Sequence, residues 1–371
     1  MIKRYLQPIV EESLKQGLIS VIYGARQTGK TTLSLEIAKK YPGFIYLNCD
    51  EPDVRLSLTN QNSVNLKRLI GDTSLVIIDE AQRVENIGLT AKLIYDGKLT
   101  QNLILTGSSS IDLANKVKEP LTGRASEHIL YPLSLKELTT NNSQMFSKLN
   151  DYLIHGGYPA IQQLSSNDAI TRLKTLAGQY IYKDVFNFNT KLNEDLVSRL
   201  LQLLALQIGS EVSYANLANK LDVSKGTVER YIDLLEKAFI IYRFAQFRKN
   251  QRNEIGRLRK VYFYDLGIRN ALVDNFKQLE LRDDSGALWE NFIINERRKM
   301  HQKNLSIVKQ MYWRSRSKQE IDLVEVSNQN ISAFELKFST TKILKIPSEF
   351  KTSYNINNLE IINNKNFVDY I

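Results

Sequence analysis

Through the first 135 positions, short β-branched apolar blocks alternate with stretches of helical spacing. ISVIY (19–23), FIYLN (44–48), LVIID (75–79), NLILT (102–106) and EHILY (127–131) are nearly unbroken apolar runs, so they read as strands buried on both faces. Alternation with amphipathic segments predicts a parallel sheet with helices on either side. A polar stretch, TTNNSQMFSKLN (139–150), follows and marks the first domain boundary.

From about Asp151 to Leu235 the pattern is helical, opened by the turn-rich HGGYPA (155–160). Three helical segments stand close together near 194–208, 213–221 and 224–238, and Ser224 is a good N-cap for the third. Strand-like FIIYRFAQF (239–247) and RKVYFYD (259–265) follow, completing the outline of a winged helix-turn-helix. A helix near 287–300 then precedes strands at MYWRS (311–315), EIDLVEV (320–326) and ISAFELKFS (331–339), before an Asn-rich tail. The domains expected are 1–138 (α/β), 151–265 (helical lid plus winged helix) and 266–371 (α/β).

Composition narrows the classes. No apolar run reaches the roughly 18–20 residues that span a bilayer, and the N-terminus lacks a signal-peptide core. A lone cysteine, Cys49, excludes an intramolecular disulfide and fits a cytoplasmic location. His128, His155 and His301 are scattered, with no zinc-site spacing. The net charge of +10 suits a polyanionic partner. Seven basic residues, Arg243, Arg248, Lys249, Arg252, Arg257, Arg259 and Lys260, are opposed only by Glu254, so the wing at 243–260 is the expected contact for DNA. A second basic stretch runs from Arg297 to Lys318.

The most specific signal is Gly24-Ala25-Arg26-Gln27-Thr28-Gly29-Lys30-Thr31, followed by Thr32. It fits GxxxxGK[ST] and lies between a strand and a helix, where glycines let consecutive N–H groups face phosphate and the helix dipole favours the anion. Lys30 would reach the β- and γ-phosphates, and Thr31 would bind Mg²⁺. Leu75–Asp79 is an apolar strand ending in Asp79-Glu80, which supplies an Asp to organise Mg²⁺ and a Glu to polarise water.

With these motifs the chain resembles an AAA+-type ATPase, and ATP as the nucleotide rests on that resemblance. It implies a strand between the two motif strands carrying a polar residue near the γ-phosphate, here Thr106 or Ser108, with Ser108 slightly preferred. It also implies an arginine acting across a subunit interface in a homo-oligomer. Arg124, in LTGRASEHILYPLS, is the matching position.

Near the C-terminus, Asp322 precedes Glu335 and Lys337. Residues i and i+2 of a strand share a face, and a hairpin at Asn328–Asn330 would bring Asp322 alongside them. Glu290, on the preceding helix, offers a third carboxylate. Carboxylates beside a lysine can bind Mg²⁺ and orient water. The D-x12-E-x-K pattern resembles the PD-(D/E)XK nuclease-like fold. With GGYP, the YKDV segment around Asp184, YDLGIRNAL (264–272) and GALWENF (286–292), the whole chain resembles prokaryotic ATPases with a C-terminal nuclease-like domain of unknown function. The resemblance implies an ATPase whose nucleotide state regulates a DNA-binding or nuclease-like module. The alternative is an ATP-driven switch controlling a protein partner, with a catalytically silent nuclease fold. The third helix of the winged-helix outline is charge-neutral, which argues against a sequence reader.

Overall fold

The computed structural model describes residues 2–108, 119–188, 193–248, 259–328, 330–339, 345–356 and 358–371. The chain divides into two compact units, the first built mainly from 1–133 and the second from 134–182, 191–236 and 240–371.

In the first unit, helix α1 (Leu6–Lys15) precedes strand β1 (Ile19–Tyr23), α2 (Lys30–Ala38), β2 (Ile45–Asn48), α3 (Pro52–Leu58) and α4 (Ser63–Ile70). β3 (Leu75–Asp79), α5 (Ile87–Asp96), β4 (Asn102–Gly107) and β5 (Ala125–Ile129) complete it. The five strands form one parallel sheet in the order β2-β3-β4-β1-β5. Every residue of β1 and β3 is buried, as expected for central parallel strands covered on both faces. All five expected strands are present, with β5 beginning two residues before the apolar run that predicted it.

One face of the sheet is covered by α1 and α2. Leu6, Val10 and Leu14 of α1 and Leu33 and Ile37 of α2 pack with Ile22, Leu75, Ile77 and Ile104. The α1 residues recur at i, i+4 and i+8, the spacing of one helical stripe. α1 ends at Gly17, whose φ of 73° suits a left-handed C-terminal position. Ile37 is fully buried, so truncation to Ala would cost about 2–5 kcal/mol.

The second unit begins at Ser134, ahead of the polar stretch that was expected to mark a boundary. That stretch is helical instead: Asn141 caps α6 (Asn142–His155) by accepting from Gln144 N, and Met145 and Leu149 are buried. After α7 (Ser166–Phe188) come α8 (Glu194–Leu206), β6 (Glu211–Val212), α9 (Tyr214–Leu221) and α10 (Lys225–Lys237). Asn193 and Ser213 cap α8 and α9, and Ser224 Oγ accepts from Thr227 N at 3.0 Å at the start of α10. β7 (Ile241–Phe244) and β8 (Arg259–Phe263) form an antiparallel sheet with β6, in the order β6-β8-β7.

Then follow α11 (Leu266–Leu272), α12 (Ser285–Lys303), β9 (Lys309–Arg314), β10 (Glu320–Ser327), β11 (Asn330–Leu336), α13 (Ser348–Tyr354) and β12 (Glu360–Ile362). The sheet order is β12-β11-β10-β9, antiparallel except for the β11–β12 pair. β10 and β11 pair with Leu323 opposite Phe334, which sets Asp322 opposite Glu335, the arrangement the hairpin expectation required. The segment after β7 joins this sheet's edge, with Phe247 N donating to Tyr312 O at 2.6 Å and Tyr312 N to Ala245 O at 3.1 Å. Among the described residues no helix is long and apolar enough to cross a membrane.

Candidate functional site

The loop between β1 and α2 has the geometry its glycines predict. Gly24 takes φ 151°, and a Cβ there would lie 2.4 Å from Leu130 O, so the backbone runs too close to its neighbour for any other residue. Gly29, at φ 97°, is the N-cap of α2 and supplies no side-chain cap. A helix N-terminus without a side-chain cap is a geometry suited to an anion. Lys30 is buried and its Nζ donates to the carbonyls of Gly24 and Ala25, both at 2.9 Å. A lysine folded back on its own loop is a donor that a phosphate can recruit. Thr28 Oγ1 donates to Ala25 O at 2.9 Å. From behind, the buried Arg4 guanidinium donates to Thr28 O at 2.7 Å and Tyr131 O at 2.6 Å, which ties the loop to the chain after β5.

Asp79 ends β3, two strands away from β1, and three hydroxyls converge on its carboxylate. Thr31 and Tyr46 donate to Oδ2, each at 2.7 Å, and Thr106 donates to Oδ1. β4 lies between β1 and β3, so Thr106 arrives from the intervening strand. Its hydroxyl also accepts from Glu80 N at 3.2 Å. Burial and the Asp79 carboxylate push the Tyr46 hydroxyl pKa far above its ordinary value. It therefore stays a donor. The hydroxyl and carboxylate oxygens of Thr31 and Asp79, 2.7 Å apart, are of the type that would fit a hard divalent ion.

Glu80 adopts a left-handed backbone, φ 52° and ψ 40°, which is uncommon for a residue with a Cβ. Its carboxylate accepts from Gln82 Nε2, which also donates to Ser108 Oγ at 3.1 Å. Thr106 is thus the residue on Asp79, and Ser108 is the one tied through Gln82 to Glu80. Arg124 immediately precedes β5, whose parallel register with β1 sets it at the end of the sheet opposite Gly24, and it is paired with Asp96 at 2.7 Å and half-exposed. Tyr46, Gln82 and Arg4 were not anticipated. Only Gln82 carried a signal, in its place two residues after Glu80.

The C-terminal residues also converge. Lys337 Nζ contacts Asp322 Oδ2 at 2.8 Å and Glu335 Oε2 at 2.9 Å. Burial pushes Asp322 up, but the Lys337 ammonium and the Leu336 N–H outweigh it, so Asp322 stays below the usual range. Burial and the facing Asp322 raise Glu335 above the usual carboxylate range. Glu290 is pushed up to about 7, chiefly by burial and against the pull of Lys260. Its carboxylate accepts from Lys260 Nζ at 2.7 Å and from Tyr262 OH. Glu290, Glu320 and Asp322 place ligand oxygens within 4.8 Å of one another. Glu320 and Lys260 were missed as members of this cluster.

Two residues of the basic wing are turned to internal partners. Lys260 is internal, and Arg243 is ion-paired with Asp233 at 2.7 Å and Glu236 at 2.5 Å. Both are neutralised by protein carboxylates and do not face a polyanion. Arg248 and Arg259 are described, whereas Lys249, Arg252 and Arg257 lie outside the described residues, as does the side chain of Asp184.

Two further motifs interlock. A Cβ on Gly156 would lie 2.3 Å from Asp265 Oδ1, and one on Gly267 would lie 2.0 Å from His155 O. Asp265 accepts from Gly157 N at 2.7 Å and Ile268 N at 3.1 Å. HGGYPA and YDLG are therefore two halves of one packing joint.

Residues 16–139 match the AAA domain family, residues 146–279 a domain of unknown function, DUF8612, and residues 285–369 another, DUF4143. An uncharacterized protein of Mycobacterium bovis is 27% identical over 340 residues, covering 90% of this chain and 73% of the relative. An uncharacterized protein of Methanocaldococcus jannaschii is 26% identical over 326 residues, covering 81% and 71%. Among solved structures, the Pif1 helicase from Candida albicans aligns at 15% identity and a TM-score of 0.28, over 48% of each chain. That alignment spans about half the helicase, and a score so low carries no argument about function. The fold is a parallel-sheet P-loop AAA+-like α/β core with helical regions and a C-terminal mixed-sheet domain.

Proposed function

We propose that the first unit binds ATP with Mg²⁺ at Gly24–Thr32 and hydrolyses it. Thr31 and Asp79 hold the metal, Glu80 positions the attacking water, and Ser108 and Arg124 are the remaining catalytic positions. The observation that carries this is the bond between Thr31 and Asp79, flanked by Lys30 on one side and Glu80 on the other. Phosphoryl transfer needs little covalent chemistry from a protein, only positioning and neutralised charge. Oxygen ligands, an ammonium and a carboxylate beside them meet that need. Arg124, half-exposed on Asp96, would act on a second copy of the chain in a homo-oligomer.

The boundaries of 1–138, 151–265 and 266–371 divide the chain into ATPase, winged-helix and nuclease-like parts. In the fuller reading, nucleotide state regulates DNA binding or the nuclease-like module carrying Glu290, Asp322, Glu335 and Lys337. One observation favours the second reading, an ATP-driven switch acting on a protein partner. Both Lys260 and Arg243 are spent on internal carboxylates, which weakens both the DNA contact and the metal site. The experiment runs DNA binding and cleavage with ATP and Mg²⁺ or Mn²⁺ at low salt, on wild type and Glu335→Ala. Cleavage lost in Glu335→Ala supports the nuclease reading. Neither binding nor cleavage of any DNA by wild type removes it and leaves the switch.

A further inference from the structure

The carboxylate cluster of the second unit does not fit a resident divalent ion, and one residue causes the misfit. Lys260 is 2% exposed, and its Nζ lies 2.7 Å from Glu290 Oε1 and 2.5 Å from Glu320 Oε1. Those two carboxylates, with Asp322, form the group whose oxygens lie within 4.8 Å of one another. The ammonium therefore stands on two of the three groups that would have to face an ion. Asp322 is engaged by Lys337 Nζ and by Leu336 N at 2.9 Å.

Lys260 is not a stray surface charge that happened to fold inward. β8 pairs Lys260 with Glu211 on one side and Phe244 on the other, so its strand is central in its sheet. Its Nζ also lies 5.3 Å from the centroid of the Tyr312 ring, a favourable seat for a desolvated cation. Tyr262, two residues on along the same strand face, donates to the same Glu290 oxygen. A divalent ion would need those oxygens as ligands at about 2.0–2.6 Å, while the buried ammonium repels it at close range.

We infer that Lys260 is a built-in cation that takes the place of a divalent metal in this cluster, so that the native chain takes up neither Mg²⁺ nor Mn²⁺ there. This rests on the nuclease-like reading of the C-terminal fold, which is what makes a metal the expected occupant. It gives the silent fold of the second reading a physical cause. Without the ammonium, Glu290 keeps only the Tyr262 hydroxyl and Glu320 the more distant Arg314 Nε at 3.6 Å, which leaves the buried carboxylates short of positive charge and open to another cation.

The test is Mn²⁺ binding to the nucleotide-free full chain, followed by titration calorimetry and by the spin-resonance signal of the free ion. Wild type is expected to show no Mn²⁺ site that Asp322→Asn removes. Lys260→Met is expected to gain one site, at least about tenfold tighter than any in wild type, and the double variant Lys260→Met/Asp322→Asn to lose it. Lys260→Arg, which keeps the charge, gains nothing. Lys260→Gln removes the charge but can still donate to the carboxylates, so it carries the same expectation should the methionine variant not fold. A wild-type site abolished by Asp322→Asn overturns the inference, as does a folded Lys260→Met or Lys260→Gln with no gain. Failure of the Mn²⁺-loaded variants to cleave DNA would count against the nuclease reading alone and leave the assignment of Lys260 standing.

Discussion

Thr31 Oγ1 donates to Asp79 Oδ2 at 2.7 Å, across 48 residues of sequence and two strands of the sheet. This contact joins the phosphate loop to the end of β3, so the two residues should act as a pair on bound Mg²⁺. Thr31→Ala and Asp79→Asn are each expected to weaken Mg²⁺-dependent ATP binding. The double variant should lose less than the sum, with a coupling of about 1–3 kcal/mol. Titration of ATP in the presence and absence of Mg²⁺ measures it, and additive losses would separate the two roles.

Gly24 has no room for a methyl group, because Leu130 O stands where the Cβ would be and Leu130 N is bonded to Tyr23 O at 2.7 Å. That bond anchors Leu130 to the end of β1, which limits how far its carbonyl can move. Gly24→Ala should lower stability by about 2 kcal/mol and abolish ATP binding. Gly43→Ala, where nothing lies within 4 Å, should leave ATP binding intact. Denaturant melts and nucleotide titration on both variants check this.

His128 is buried, with Nε2 3.2 Å from Ser13 Oγ, and burial drives its pKa down to about 4. A depressed pKa means that the folded chain resists a proton the unfolded chain accepts at about 6.5. Its contribution is therefore complete above that value and is lost as pH falls toward 4. Between pH 7 and pH 5 the loss should be about 2 kcal/mol. His128→Gln should flatten that part of the profile, read by urea unfolding at each pH.

Asp265 is fully buried and accepts from Gly157 N and Ile268 N. Asp265→Ala would leave two N–H groups unpaired and open the joint between α11 and the HGGYPA turn, at a cost of about 2–4 kcal/mol. ATP turnover per folded molecule should not change. A variant as stable as wild type would remove Asp265 from the joint.

What was legible in the chain follows from how local the determinants are. β1 and β3 declared themselves because strands buried on both faces must be apolar throughout, and the phosphate loop because glycines are demanded by backbone geometry. β6 has only two residues and no pattern to detect. The polar 139–150 stretch looked like a linker because Met145 and Leu149 alone carry its buried face. Lys260 looked like part of a solvated basic run, since its partners Glu290 and Glu320 are 30 and 60 residues away in sequence. The same holds for Tyr46, whose hydroxyl finds Asp79 only once β2 and β3 are paired. Charge and hydroxyl roles set by tertiary pairing leave no trace in local pattern.

The central claim is that the first unit turns over ATP through Lys30, Asp79 and Glu80. Its most direct measurement is phosphate release from ATP and Mg²⁺ by wild type, Lys30→Ala and Glu80→Gln, with ATP affinity measured in parallel. Wild type should hydrolyse ATP. Lys30→Ala should lose both binding and turnover, while Glu80→Gln should bind ATP as wild type does and turn it over about 100-fold more slowly. Tight ATP binding by Lys30→Ala, or unchanged turnover in Glu80→Gln, would contradict it.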